Sequence, residues 1–347
     1  MPATIIEHGS DLEMDVVPSG KSIFVGDILP VSNVLITERC LAACNYCGID
    51  AKSNGRHMQW ELFNAITGSD SIAFLRKQRI YLGDGEVLIY QDEQHAKTLV
   101  DVIKMLVFDL DLKVGFTTAG LIGPNREIGL NVLEQLTKFG LEFKKNIHSS
   151  LSVNISHPHV NSIEEYAEQM LETILLLEKF SQVCLITMSS PETSEKFQRL
   201  IGALFERLGR FDKLSVSPRS VSPWHGRAIL NYSHLRSSKD SEKEDIGSCE
   251  SLDSKPANLY SIKSNGDVST GCSGFGIRGT SFGNIFENDA RQIHENYRQF
   301  LTEFRERVGS EDRRVSVCEA HRTWNKRYVS PKSDHPVVRR ALACSRS

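Results

Sequence analysis

Three absences narrow the chain before any motif is considered. No apolar run approaches the ~20 residues that a membrane-crossing helix needs; the run Ile174–Leu177, for example, is far short of that in a chain of 347 residues. Basic residues are not in excess: 41 Lys and Arg stand against 44 Asp and Glu, a formal net charge of −3. That balance argues against the broad positive surface through which nucleic-acid and membrane-surface proteins act. The opening residues, MPATIIEHGSDLEMD, lack the positive-then-apolar order of a secretory signal. The expectation is a cytoplasmic protein with no nucleic-acid or membrane partner. In that reducing compartment eight cysteines are better explained as metal ligands, catalytic groups or buried core than as disulfides.

Internal repeats and low-complexity tracts are also lacking, which excludes a solenoid. What recurs is an alternation of short β-type runs with helical patterns. The candidate strands are Val34–Glu38, Arg79–Leu82, Lys113–Thr117, Ser150–Ile155, Val183–Met188 and Lys213–Val216. Between them, Leu99, Val102, Ile103, Leu106 and Val107 fall at helical spacing. So do Ile163, Tyr166, Met170, Ile174 and Leu177, opened by Ser162 with Glu165 three residues later in a capping-box pattern. Phe197, Leu200, Ile201, Leu204 and Leu208 form a third such face, entered through Pro191. Six strand–helix units predict an α/β fold, a partial (β/α)6 barrel of the TIM type, with its chemistry at the carboxyl ends of the strands.

After residue 225 the pattern changes. Residues 226–248 read as a polar linker. NLYSIKSNGDVSTGC then reads as a β-hairpin turning at Asn265-Gly266, followed by a helix over about Asp289–Val308. The expected organisation is an N-terminal extension over 1–30, the barrel over 31–225, the linker, and a small C-terminal domain with its tail over 249–347.

The stretch VLITERCLAACNYCGID places Cys40, Cys44 and Cys47 on one tight loop after the first strand. A structural zinc site draws on four ligands, yet no other Cys or His follows until His57. Three thiolates on one loop can instead hold three irons of a 4Fe-4S cube and leave the fourth iron open to an outside ligand. The second strand ends in Gly83-Asp84-Gly85-Glu86, where glycines let the backbone approach a ligand closely and a carboxylate can pair with an ammonium.

In these two motifs the chain resembles the radical S-adenosylmethionine (SAM) enzymes. The resemblance implies a 4Fe-4S cluster on Cys40, Cys44 and Cys47, with SAM chelating the open iron. It places Tyr46 near the adenine and gives Gly83, Asp84, Gly85 and Glu86 the amino group of SAM, although GDGE stands where GGE is more common. Thr117 and Thr118 at the end of the third strand, and Ser152 and Asn154 on the fourth, match positions that hold the ribose or carboxylate of SAM. Hydroxyls and amides at strand ends also cap helices and turns, so that structural role stands beside the binding role.

A second cysteine set follows. Cys249, the hairpin, Cys272, GNIFEN (283–288), the helix and Cys318 come in an order that resembles the auxiliary-cluster modules called SPASM and twitch domains. The shorter twitch pattern fits better, because the paired cysteines of a full SPASM module are missing. The resemblance implies a second 4Fe-4S cluster on Cys249, Cys272 and Cys318, with His321, Cys344 or an open iron in the fourth place. Cys249 is alternatively a free thiol that donates a hydrogen atom.

The activity implied by the resemblance is reductive cleavage of SAM to a 5′-deoxyadenosyl radical that abstracts hydrogen from carbon, with a flavodoxin or ferredoxin-type electron donor. Only about 33 residues precede the first strand, short of a leader-peptide recognition domain. That favours oxidation or epimerisation of a small polar metabolite of the sugar, aminocyclitol or nucleoside type, as in antibiotic and other natural-product biosynthesis. Arg219 is the candidate substrate contact. The alternatives are a radical SAM peptide maturase, working by epimerisation or crosslinking, and a non-catalytic metal-binding or electron-transfer protein.

Overall fold

The computed structural model describes residues 28–44, 47, 51–74, 79–155, 157–189, 194–209, 215–220, 260–270 and 281–311. The chain divides into two compact units, one of Leu35–Trp60 with Arg76–Tyr232 and the other of Met1–Val34, Glu61–Leu75 and Ser233–Ser347. In chain order the described elements begin β1 (Leu29–Thr37), α1 (Trp60–Thr67), β2 (Ile72–Phe74), β3 (Arg79–Asp84), β4 (Gln91–Asp92), β5 (Lys97–Thr98) and α2 (Leu99–Lys104). They continue β6 (Lys113–Thr118), α3 (Arg126–Leu136), β7 (Ile147–Val153), α4 (Ile163–Leu177), β8 (Gln182–Ser189), α5 (Ser194–Leu208) and β9 (Ser215–Ser220). The last are β10 (Tyr260–Ile262), β11 (Asp267–Thr270), β12 (Gly283–Asn284) and α6 (Ala290–Glu311).

In the larger unit the strand order is β1-β3-β6-β7-β8-β9, and the pairings from β3 onward are parallel. Among the described residues, the next helix longer than one turn after β1, β6, β7 and β8 is α1, α3, α4 and α5 respectively, the alternation that parallel pairing requires. Burial is almost continuous along β6 and β7, the signature of a sheet covered on both faces. All six expected strands form. The fourth starts earlier than expected, at Ile147 rather than Ser150. The cause is polar content: Ser149 is buried and its hydroxyl meets that of Ser181 at 2.6 Å, so serines that read as a loop are satisfied inside the sheet. The fold is α/β with a parallel sheet, but the described strands run as an open path from β1 to β9, and closure into a barrel is not seen among them.

The three expected helical faces are present. Thr98 caps α2 through a capping box with Asp101; the helix continues as a π turn over Met105–Asp109. Ser162 Oγ accepts from the Glu165 amide at the start of α4, and Tyr166, Met170, Ile174 and Leu177 are all buried.

In the smaller unit β10 and β11 form the expected antiparallel hairpin. Its turn is closed by Gly266 N–H donating to Lys263 O at 2.9 Å. Gly266 alone takes the left-handed conformation, at φ 87°, so the Asn-Gly pair supplies one left-handed residue rather than two. β10 also pairs in parallel with the start of β1. On α6, His294 Nε2 lies 2.9 Å from Ile28 O and its Nδ1 lies 2.9 Å from Tyr260 Oη. A carbonyl only accepts, so Nε2 carries the proton and Nδ1 takes the Tyr260 hydroxyl. The expected hairpin and helix are therefore both seen in this unit. No helix among the described residues is long and apolar enough to cross a membrane.

Candidate functional site

The site grows from the end of β1. After Thr37 the backbone of Glu38 and Arg39 is gripped by two glycine turns. A Cβ on Gly55 would stand 2.3 Å from Glu38 O, and one on Gly85 would stand 2.1 Å from Arg39 O. Neither contact is open to any side chain, so only glycine fits at either position. Hydrogen bonds follow the same lines. Glu38 N–H donates to Arg56 O at 2.8 Å and Cys40 N–H to Lys52 O at 3.0 Å. From the GDGE turn, Gly85 N–H donates to Thr37 O at 2.6 Å and Glu86 N–H to Arg39 O at 2.9 Å. The two motifs that stand out in the sequence are thus tied together, backbone to backbone, one residue before Cys40.

Beyond this clamp the loop folds back, with Cys47 N–H donating to Cys44 O at 3.2 Å. Cys44 is buried and Cys40 and Cys47 are half-buried. Burial pushes the Cys40 thiol up to about 12; the Glu86 carboxylate and then Cys44 and Cys47 add to the rise. These groups therefore lie close enough to resist one another's ionisation. A bound cation reverses that balance and favours thiolates. The donor set, three soft sulfurs on one loop with an acidic neighbour, fits an iron–sulfur cluster better than a lone oxygen-seeking cation.

Glu86 is buried at 3% exposure, yet both of its oxygens are hydrogen-bonded. Its Oε1 accepts from Thr118 Oγ1 at 2.7 Å and from the Leu88 amide at 3.1 Å, and its Oε2 from the Ala119 amide at 2.8 Å. Burial raises its affinity for a proton, and the Thr118, Ala119 and Leu88 hydrogen bonds oppose that rise. The carboxylate consequently stitches the end of β3 to the end of β6. Thr117 is exposed on the other face of β6, so of the expected threonine pair the structure brings only Thr118 to Glu86.

At the end of β7, the Asn154 amide donates to Tyr166 Oη at 2.9 Å. Tyr166 is 1% exposed, and burial, with Cys44 adding to it and the Asn154 bond opposing it, holds its hydroxyl above the usual range. This links α4, the end of β7 and the cysteine loop. Tyr166 reads in the sequence as one more apolar residue on the α4 face; its hydroxyl is the only hint of a second role. Ser152 is half-buried on β7. Arg219 lies in β9 opposite Met188, and its side chain is outside the described residues. So are Tyr46, Cys249, Cys272, Cys318, His321 and Cys344.

Two further groups line the clamp. Arg39 Nε and His57 Nδ1 are buried without a hydrogen-bond partner, and burial, reinforced by Arg39, lowers His57 to about 4. The sequence gives no sign of Arg39, because an arginine before a cysteine loop reads as surface. Gly55 has a weak signal, a glycine closing the polar turn Lys52–Asn54.

No protein-family model matches the chain, and no curated protein matches it. Among solved structures, the chain is similar to native anSMEcpe with bound AdoMet (SAM) and Cp18Cys peptide: TM-score 0.48, 11% identity, covering 91% of this chain and 99% of that one. It is similar in the same degree to native anSMEcpe with AdoMet and Kp18Cys peptide, covering 92% of this chain. Likeness at this level transfers no ligand and no residue role.

Proposed function

We propose that the chain is a radical SAM enzyme. The observation that carries the reading is the pair of hydrogen bonds from Gly85 and Glu86 to Thr37 and Arg39, which sets the GDGE turn against the three-cysteine loop. In this reading Cys40, Cys44 and Cys47 hold a 4Fe-4S cluster, and Tyr46, Gly83, Asp84, Gly85, Thr118 and Asn154 surround SAM. Together a reduced cluster and SAM supply a 5′-deoxyadenosyl radical able to take hydrogen from carbon. The chain's own contribution is to fix the cysteine loop through Gly55 and Gly85 and to anchor Glu86 on Thr118 and Ala119. Cys249, Cys272 and Cys318, with His321, complete the proposal as ligands of an auxiliary cluster, and a flavodoxin or ferredoxin-type protein as its electron donor.

Both substrate classes named from the sequence, a peptide and a small polar metabolite, enter the test, since no described residue singles out either. Protein purified without oxygen and loaded with iron and sulfide should convert SAM to 5′-deoxyadenosine under a strong reductant. Turnover no higher than that of a Cys44→Ala variant overturns the reading. Deuterium passing into 5′-deoxyadenosine from labelled peptide or labelled metabolite decides the substrate class.

A further inference from the structure

The clamp that holds the cysteine loop leaves one charge unanswered. Arg39 is half-buried, and its guanidinium makes no hydrogen bond or ion pair with any described residue; its Nε is sealed without a partner. The other arginines whose side chains are described all have partners, Arg56 and Arg126 for example in ion pairs with Glu38 and Glu172. A guanidinium is always charged, and holding it partly out of water with nothing to bind costs stability.

Register places a second unpaired group beside it. Thr37 and His57 stand opposite each other in an antiparallel bridge. The bridge is closed on either side by Glu38 N–H to Arg56 O and Met58 N–H to Ile36 O, both 2.8 Å. Alternation along the extended chain puts Arg39 on the face of Thr37, diagonal to His57, a gap that a long side chain spans. The Arg39 charge accordingly acts on His57, whose Nδ1 is buried without a partner. Thr37 Oγ1 is already taken by the Arg39 amide at 3.0 Å, and the Tyr90 hydroxyl, edge-on to the His57 ring, is spent on Met58 O. None of the carboxylates around Arg39 answers its charge: Glu38 pairs with Arg56, Glu86 with Thr118 and Ala119, and Asp92 with Trp60, Gln94 and His95.

What remains is a fork of donors beside an imidazole nitrogen, with no acceptor between them, the complement of an oxyanion. A neutral imidazole can carry its proton on either nitrogen, so Nδ1 can donate. The pair carries one fixed positive charge, because His57 resists a second. A planar, singly charged carboxylate matches that better than a doubly charged phosphate.

We propose that Arg39 and His57 form a carboxylate-binding site beside the cysteine loop, with Arg39 gripping the ligand through its fork and His57 donating from Nδ1. In the radical SAM reading, on which this second part rests, the carboxylate belongs to the substrate. The full chain, labelled with carbon-13 at histidine Cε1, is titrated with acetate at constant ionic strength, so that general screening does not change. One histidine resonance, absent in His57→Phe, should move with acetate and hardly at all with phosphate. Arg39→Gln should weaken acetate at least tenfold, and Arg39→Lys should recover only part of the affinity, because an ammonium lacks the fork. Arg39→Gln should not lower the melting temperature of the acetate-free protein; a fall means that the guanidinium has a structural partner and removes the premise. Unchanged acetate affinity in Arg39→Gln overturns the site, and an equal response to phosphate overturns its choice of carboxylate. If SAM displaces acetate from the cluster-loaded protein, the carboxylate held is that of SAM, and the substrate assignment falls. The acetate titration does not depend on SAM cleavage, so failure of the radical SAM reading, seen as absent 5′-deoxyadenosine, is distinct from each of these results.

Discussion

Gly85 carries more of the site's geometry than any ionisable group, because its missing Cβ is what lets β3 close on the residue before Cys40. A methyl at that position cannot be absorbed by a side-chain rotation; the atom 2.1 Å away is the Arg39 carbonyl oxygen. Gly85→Ala should therefore break the bonds to Thr37 and Arg39 and destabilise the fold by a few kcal/mol. Chemical denaturation would measure the loss, and iron uptake by the cysteine loop should fall with it. Gly83→Ala is the matching control, expected to stay within about 0.5 kcal/mol, since nothing stands within 4 Å of its Cβ. Glycine, cysteine and glutamate were all legible in GDGE and the cysteine spacing. Their mutual bonding was not, because a hydrogen bond between strand ends depends on sheet register and leaves no trace in spacing. His157 is a second buried group of this kind: it is 4% exposed, its Nδ1 accepts the His159 amide at 3.2 Å, and its Nε2 has no partner among the described residues. Burial, with His159 adding to it, lowers it from 6.5 to about 4. The folded state refuses a proton that the unfolded chain accepts. Stability should thus be level above pH 6.5 and fall as pH drops from 6.5 towards 4, by on the order of 3 kcal/mol in full. His157→Asn, which keeps an acceptor for His159, should flatten that part of the acid slope in denaturation measured across pH. His57 titrates in the same window and direction, so a remainder of the slope should persist.

At the scale of elements, α4 has two tasks that its sequence pattern states unequally. Its periodicity announces the buried face, and Ser162 announces its start; both are found as read. The pattern does not say that Tyr166 reaches across to the end of β7, since a tyrosine on an apolar face is explained by burial alone. Removing each feature separates the tasks. Ser162→Ala loses a cap to the Glu165 amide on an exposed turn and should cost about 1 kcal/mol, with no change at the cysteine loop. Tyr166→Phe keeps the packing but strips the acceptor from the buried Asn154 amide, which should cost about 1–3 kcal/mol. Tyr166→Phe should therefore cost more than Ser162→Ala in chemical denaturation, although it removes only one oxygen atom. Strand boundaries were less legible than helix faces for a related reason. β7 hides Ser149 inside a covered sheet against Ser181, and a serine satisfied in this way looks the same in sequence as a loop residue.

For the molecule as a whole, the proposal requires two metal centres held by separate cysteine sets, and this can be tested without knowing the substrate. The first set is on a loop whose support is internal to its own unit: every clamp bond to Thr37, Glu38, Arg39 and Cys40 comes from Lys52, Arg56, Gly85 or Glu86. The hairpin that precedes Cys272 belongs to the other unit, where Gly266 and the His294 bonds hold it. Independent support predicts independent loss. Protein reconstituted without oxygen should bind about eight irons, two cubes of four. Replacing Cys40, Cys44 and Cys47 together by alanine should leave about four irons and abolish any shift of the cluster signal on adding SAM. Replacing Cys249, Cys272 and Cys318 together should also leave about four, but with the SAM-dependent shift intact. Loss of all iron in either variant would mean that the two sets serve one shared centre, and the twitch-like reading of the C-terminal domain would fall. A full complement of iron in Cys249→Ala alone would instead leave Cys249 as the free thiol that the sequence also allows, and hydrogen return to the substrate would then be its testable role.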